Sequence, residues 1–362
     1  MGRLRLLRQS GVSIWLDTIS RDLLESDRFE RYVHHYGVTG ATSNPTIFEQ
    51  AITGSSAYDG RLRELAELEV GAKSAFFDLA LDDVRHAARV LKPAYEASDG
   101  RDGFISFEVT PDLAYDDAGT VQQALALWKR LGLPNVMIKV PATRAGLTAV
   151  EKLTAFGVNV NVTLLFSVER YEQIIEAYLR GLEQRLDRGR PLDGISSVAS
   201  FFVSRIDAKA HPLLPSDSPL RGRIAVANAQ RAYARQRELF AGERWERLRA
   251  AGAREQTPLW ASTGTKEPWM SDVHYVEQLI TPGAINTMPE KTLFAFADHG
   301  QLPEAIEPEP DEVLAAAPEA GVDLGRITED LEREGIESFC GSYERLLAAI
   351  ESKLAPARAA AA

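Results

Sequence analysis

Lys139 stands inside an otherwise apolar run, NVMIKVP (135–141). In a strand, successive side chains alternate faces, so Val136, Ile138 and Val140 share one face while Asn135, Met137 and Lys139 share the other. A lysine is almost never fully buried unless it is paired or put to use. Two carboxylates hold comparable places in other β-like runs. Asp17 follows Ser13 and Trp15 on the face opposite Ile14 and Leu16, and Glu108 lies with Ser106 opposite Ile105, Phe107 and Val109. In VNVNVTLLF, Asn159, Asn161 and Thr163 oppose Val158, Val160, Val162 and Leu164. Asn44 and Ser200 stand near the ends of two further runs, VTGATSN and ISSVASFFV.

These residue types leave two readings of the lysine open. In the first it is a structural ion-pair partner of Asp17 or Glu108. In the second it is a nucleophile toward a carbonyl, forming an imine. That chemistry needs a neutral amine, which burial favours by penalising the charged form. It also needs groups that move protons, one at a substrate hydroxyl and one at water, and Asp17 and Glu108 suit both tasks. Phosphorylated substrates would require cations as well. Arg205, just beyond SFFVS, and Lys266, in ASTGTKEP, follow the sixth and seventh runs, where barrels often bind phosphate. The STGTK stretch lacks the spacing of a phosphate-binding glycine loop.

The β-like runs cover 13–18, 38–44, 103–109, 135–141, 158–166, 195–203, 258–262 and 283–288. Helical patterns separate them, among them 73–97, 120–132, 167–186 and one continuous stretch over 222–252. Strands alternating with helices imply right-handed βαβ units and a parallel sheet. Eight units suit a closed (β/α)8 TIM barrel, although an open doubly wound sheet also accommodates eight strands. Two features favour closure. No glycine-rich dinucleotide fingerprint follows the first strand, and one face of each strand turns polar toward its C-terminal end. A strand buried between two helical layers would be apolar on both faces. We therefore expect a single barrel over 1–300 and a C-terminal helical extension, 301–362, packed on it. The extension begins with a proline- and acid-rich connection at 301–311, and the final APARAAAA is expected to fray.

The chain has 362 residues, 45% of them hydrophobic, and a net charge of −11, which disfavours a nucleic-acid partner. Cys340 is the single cysteine, so no intrachain disulfide forms, in keeping with a reducing compartment. It reads as a small core residue. The six histidines are scattered without ligand spacing, so neither a metal nor another cofactor is expected. No segment reaches the length of a membrane span. The expectation is a cytoplasmic protein with no membrane partner; an exposed helix could pair two copies into a homodimer.

Taken together, SIWLDTISRDLL, GVTGATSNPTIFEQAI, FISFEVTPDLAYD, VMIKVPAT, VNVNVTLLFS, SSVASFFVSRID and PLWASTGTKEP resemble the transaldolase family in its longer bacterial form. The motifs run in order from about residue 12 to residue 300. The resemblance implies a (β/α)8 barrel that transfers a dihydroxyacetone unit between sugar phosphates without a cofactor. It implies that Lys139 forms the imine, that Asp17 is the acid/base at the C4 hydroxyl, and that Glu108 with Thr163 holds the water used in dehydration. Asn44, Asn161 and Ser200 would bind hydroxyls and Arg205 the phosphate, with Phe202, Ser262 and Lys266 completing the substrate-binding set. The chain departs from the family pattern at SFFVSR, where S-P-F-V-G-R is frequent, and at Thr265 and Lys266, where many members carry arginine. Lysine brings charge without a bidentate fork. Fructose-6-phosphate aldolases share the fold and the lysine, but resemblance to them would imply glutamine at 108, tyrosine at 202 and a shorter chain. A barrel that binds sugar phosphates without catalysis is a further alternative, disfavoured because Asp17, Glu108 and Lys139 are all present.

Overall fold

The structure is a computed structural model that describes residues 2–303 and 310–361, those from 356 onward by backbone alone. Eight strands form in the runs that the alternation marks: β1 (Ser13–Leu16), β2 (Gly40–Thr42), β3 (Ile105–Glu108), β4 (Val136–Pro141), β5 (Val160–Leu165), β6 (Ser197–Phe202), β7 (Thr257–Ala261) and β8 (Ile285–Met288). They pair in chain order and close, β8 against β1, with every pairing parallel. The open doubly wound alternative is thereby excluded. Outward-facing Val136, Ile138, Val140, Val160 and Val162 are buried beneath the helices. Each such side chain stabilises the fold by about 1.5–3 kcal/mol when fully buried.

The inward face is filled from below. Trp15 is fully buried, and its indole Nε1 donates to Asp102 Oδ1 at 2.8 Å, just before β3. Phe104 lies beside it, ring centroids 6.5 Å apart. Gly40 makes this possible, because a Cβ there would lie 2.3 Å from the indole ring. Aromatic side chains thus fill the β1–β3 side of the N-terminal end of the barrel.

Three local expectations change. The helical stretch over 222–252 is two helices, Ile224–Leu239 and Glu243–Ala250. Between them Gly242, at φ 92° and ψ 174°, takes a backbone conformation that favours glycine and that no regular helix contains, and it caps the second helix. Alternation fails at Leu164, where β5 shifts register between Val162 and Leu165 and the residue adopts φ 54°. Leu164 consequently leaves the outer apolar face. The C-terminal helix runs Leu324–Ala361, so the terminal alanine-rich residues continue it rather than fray. The connection expected at 301–311 lies mostly outside the described residues.

That long helix is fastened across one side of the C-terminal rim. Lys209 Nζ donates to Glu334 at 2.7 Å, Thr46 Oγ1 and Ser342 Oγ lie 2.8 Å apart, and Lys353 Nζ donates to Asp59 at 2.7 Å. Cys340, on the same helix, is half-buried against the core, and burial pushes its thiol up.

Candidate active site

Strand register brings three of the marked residues side by side. Glu108 on β3 is level with Lys139 on β4, and Lys139 with Asn161 on β5. Lys139 is 4% exposed and Glu108 8%, so both carry their polar ends into the barrel interior. The Lys139 ammonium donates to the Ser43 carbonyl at 3.1 Å and lies 3.7 Å from Glu108 Oε2. The ion-pair reading is therefore half met: the charges face each other, but at a separation too long for a hydrogen bond.

Beside the lysine a polar bridge links three strands. Ser200 Oγ donates to Asn161 Oδ1 at 2.7 Å, and Asn161 Nδ2 donates to Ser106 Oγ at 2.9 Å. All three are buried, and the Asn161 side chain is held from both ends. Thr163 Oγ1 and Glu108 Oε2 are also buried, and neither has a hydrogen-bond partner within the described chain. Buried polar atoms normally find partners, so both retain capacity for a small polar group.

On the opposite side Asp17 is half-buried and accepts from Thr42 Oγ1 at 2.8 Å, while Thr42 lies 3.1 Å from Thr287 Oγ1. The segment after Asp17 is held by Arg21, whose Nε donates to buried Asp83 at 2.9 Å; Tyr58 OH donates to the same carboxylate at 2.9 Å. Asn44 accepts the Ile47 amide at 3.0 Å, capping the helix Pro45–Gly54. Its side-chain oxygen is engaged in that cap, which leaves its amide NH2 to donate elsewhere.

Two cations border the mouth. The Arg205 guanidinium is 5.1 Å from the Phe202 ring centroid, and Phe202 in turn packs on Phe166 at 5.3 Å. Burial lowers Arg205 from its ordinary value, and Asp17 opposes that shift. Lys266 is likewise lowered, by burial first and then by the Arg205 charge, again against Asp17. Neither cation has an ion-pair partner within 4.0 Å among the described residues. Ser262 closes the set at the end of β7, with its Oγ 2.9 Å from Ser204 Oγ and φ 56°.

The eleven residues singled out in the sequence thus lie around the C-terminal end of the barrel. Three further residues take part. Thr42 shares the inward parity of β2 with Gly40 and could have been found by the alternation that found Lys139. Ser106 shares the inward parity of β3 with Glu108, although its residue type alone suggests no role. Ser43 contributes through its carbonyl, which no residue-type signal reveals.

Glu108 is pushed up to about 7, mainly by burial, with Asp17 adding to the rise and Lys139 working against it. Its folded value exceeds the ordinary carboxyl value, so the folded chain retains a proton that the unfolded chain releases. The stability it contributes is full below the ordinary carboxyl range and falls as pH rises through about 7. We expect kcat/KM to show an inflection near 7 that Glu108→Gln removes. Superimposable pH profiles for the two proteins would count against a proton-transfer role.

A closed parallel barrel carrying a buried lysine, two carboxylates and unpaired cations at its C-terminal end has the construction of a barrel enzyme. The family model described as Transaldolase/Fructose-6-phosphate aldolase matches residues 14–350. A transaldolase of Saccharopolyspora erythraea is 46% identical over 362 residues, covering 98% of each chain. One from Parafrankia sp. (strain EAN1pec) is 45% identical over 360 residues, covering 97% of this chain and 98% of its own. Transaldolase 1 of Streptomyces coelicolor is 45% identical over 364 residues, covering 98% of this chain and 95% of its own. The chain belongs to the transaldolase/fructose-6-phosphate aldolase family. Among the described residues no helix is long and apolar enough to cross a membrane.

Proposed function

We propose that this chain catalyses the transaldolase reaction, moving a dihydroxyacetone unit from sedoheptulose 7-phosphate or fructose 6-phosphate to glyceraldehyde 3-phosphate or erythrose 4-phosphate. The observation that carries this reading is the buried Lys139 level with Glu108 and Asn161, inside a member of this family. The neutral Lys139 amine adds to the C2 ketone, giving a carbinolamine. Glu108, through a water shared with Thr163, protonates the departing hydroxyl, and an iminium forms. Asp17 removes the C4 hydroxyl proton, the C3–C4 bond breaks, and its electron pair flows into the iminium to leave an enamine. The aldose phosphate departs. An acceptor aldehyde is then attacked by the enamine carbon, its oxygen takes the proton from Asp17, and water releases the product ketose. The iminium is the electron sink throughout.

Asn44, Asn161 and Ser200 bind the hydroxyls of the three-carbon unit in this reading, while Arg205 and Lys266 take the phosphate and Phe202 and Ser262 complete the wall. Glu108 and Phe202 favour transfer over simple cleavage, since the resemblance to aldolases would imply glutamine and tyrosine there. We regard 1–300 as the barrel and 301–362 as its extension, supported by the contacts of Glu334 and Ser342 with the rim. We further read the protein as cytoplasmic, without a nucleic-acid partner and homodimeric.

Borohydride reduction in the presence of fructose 6-phosphate, followed by peptide mass mapping, tests the assignment. A three-carbon adduct on Lys139 that erythrose 4-phosphate depletes is the expected result. Free dihydroxyacetone accumulating at the turnover rate without acceptor would instead mark an aldolase. No adduct, under conditions that trap a control transaldolase, would return Lys139 to a structural role.

A further inference from the structure

Leu164 departs from its strand in a way that bears on Arg205. Its φ of 54° is uncommon for a residue with a bulky side chain. Together with the register shift after Val162, it turns the side chain toward the C-terminal helix. There it meets Gly335: a Cβ on that glycine would lie 2.9 Å from Leu164 Cδ2 and 3.7 Å from Nη1 of Arg205. Glycine is the least favourable helix residue after proline, yet here it occupies the interior of the 38-residue helix Leu324–Ala361. The helix is pinned at this level. Glu334 accepts from Lys209 at 2.7 Å, and Glu332 lies 3.5 Å from Arg170. Lys209 belongs to the short helix Ser204–Ala210 that also carries Arg205, so the backbone around Gly335 has little freedom to withdraw.

Arg205 itself has no ion-pair partner within 4.0 Å among the described residues. Its direction is set by the Phe202 ring on one side and by the space against Leu164 and Gly335 on the other. We propose that Gly335 is a positioning residue for Arg205, and that its missing side chain sets the preference for phosphorylated over unphosphorylated substrates. This inference rests on the reading of Arg205 as a phosphate contact. The two distances predict a graded response. An alanine methyl would displace mainly the end of Leu164 and leave the guanidinium in ordinary contact. A leucine would reach the guanidinium and turn it from the mouth.

The test compares glyceraldehyde 3-phosphate with unphosphorylated glyceraldehyde as acceptors, at saturating donor, in the full-length enzyme. In Gly335→Leu the ratio of their kcat/KM values should fall at least tenfold, through KM for the phosphorylated acceptor, with kcat within about threefold. Inorganic phosphate should inhibit the variant correspondingly less. Gly335→Ala should stay within about threefold of the parent ratio, and Gly335→Leu should have no further effect on the ratio in an Arg205→Ala background. Should Gly335→Leu not fold, Gly335→Met, unbranched and more adaptable, replaces it. An unchanged ratio in a folded Leu or Met variant, while Arg205→Ala collapses it, would overturn the role of Gly335 alone. An unchanged ratio in Arg205→Ala would overturn the phosphate reading and this inference with it.

Discussion

Replacing Lys139 by methionine lowers kcat by on the order of 10⁴-fold or more, the scale on which removing a covalent nucleophile acts. The substitution is chosen so that loss of activity is not loss of fold. Methionine fills a similar volume and adapts its rotamer to the gap. Removing one partner of a buried charge pair is usually costly because the other charge is stranded. Here the stranded group is Glu108, already pushed up to about 7 by burial, and without the ammonium it rises further and remains neutral. The variant should therefore unfold thermally near the parent while forming no borohydride adduct. Residual transfer above a hundredth of the parent rate, measured with saturating donor and acceptor, would remove the imine from the mechanism.

Asp17→Asn is expected to cost about 10²–10⁴-fold in kcat, the range for losing a general acid/base. The accompanying readout is more telling than the rate. Asparagine retains an oxygen to accept from Thr42, so the side chain keeps its place, but it has no proton affinity for the C4 hydroxyl. Imine formation on Lys139 should proceed while C3–C4 cleavage stalls. Borohydride would then trap an adduct carrying the intact six-carbon donor, where the parent gives a three-carbon one. A three-carbon adduct appearing at the parent rate would assign the proton transfer to another group.

Much of this arrangement was legible because strand alternation is a strict geometric rule. Once Lys139 was recognised as the odd member of NVMIKVP, the same parity found Asp17, Glu108, Asn161 and Thr163, and register later brought Glu108, Lys139 and Asn161 level. The rule fails where the backbone leaves the strand region. At Leu164 no glycine announces a positive φ, so alternation alone puts the residue on the wrong face. The break at Gly242 was hidden for a related reason: apolar and basic residues on both sides continue one helical pattern, and a single glycine does not outweigh it. Contacts made by main-chain atoms, such as the Ser43 carbonyl with Lys139, carry no residue-type signature. Long-range neighbours like Gly335 and Arg205 lie far apart in the chain and meet only when the last helix crosses the rim.

The aromatic plug formed by Trp15 and Phe104 has a consequence for traffic through the barrel. With its indole tied to Asp102 and packed on Gly40, Trp15 seals the β1–β3 side of the N-terminal end. The marked residues line the C-terminal mouth, which in the proposed reaction the incoming acceptor and the outgoing aldose share. In the proposed reaction, that shared threshold favours keeping the three-carbon unit on Lys139 between visitors.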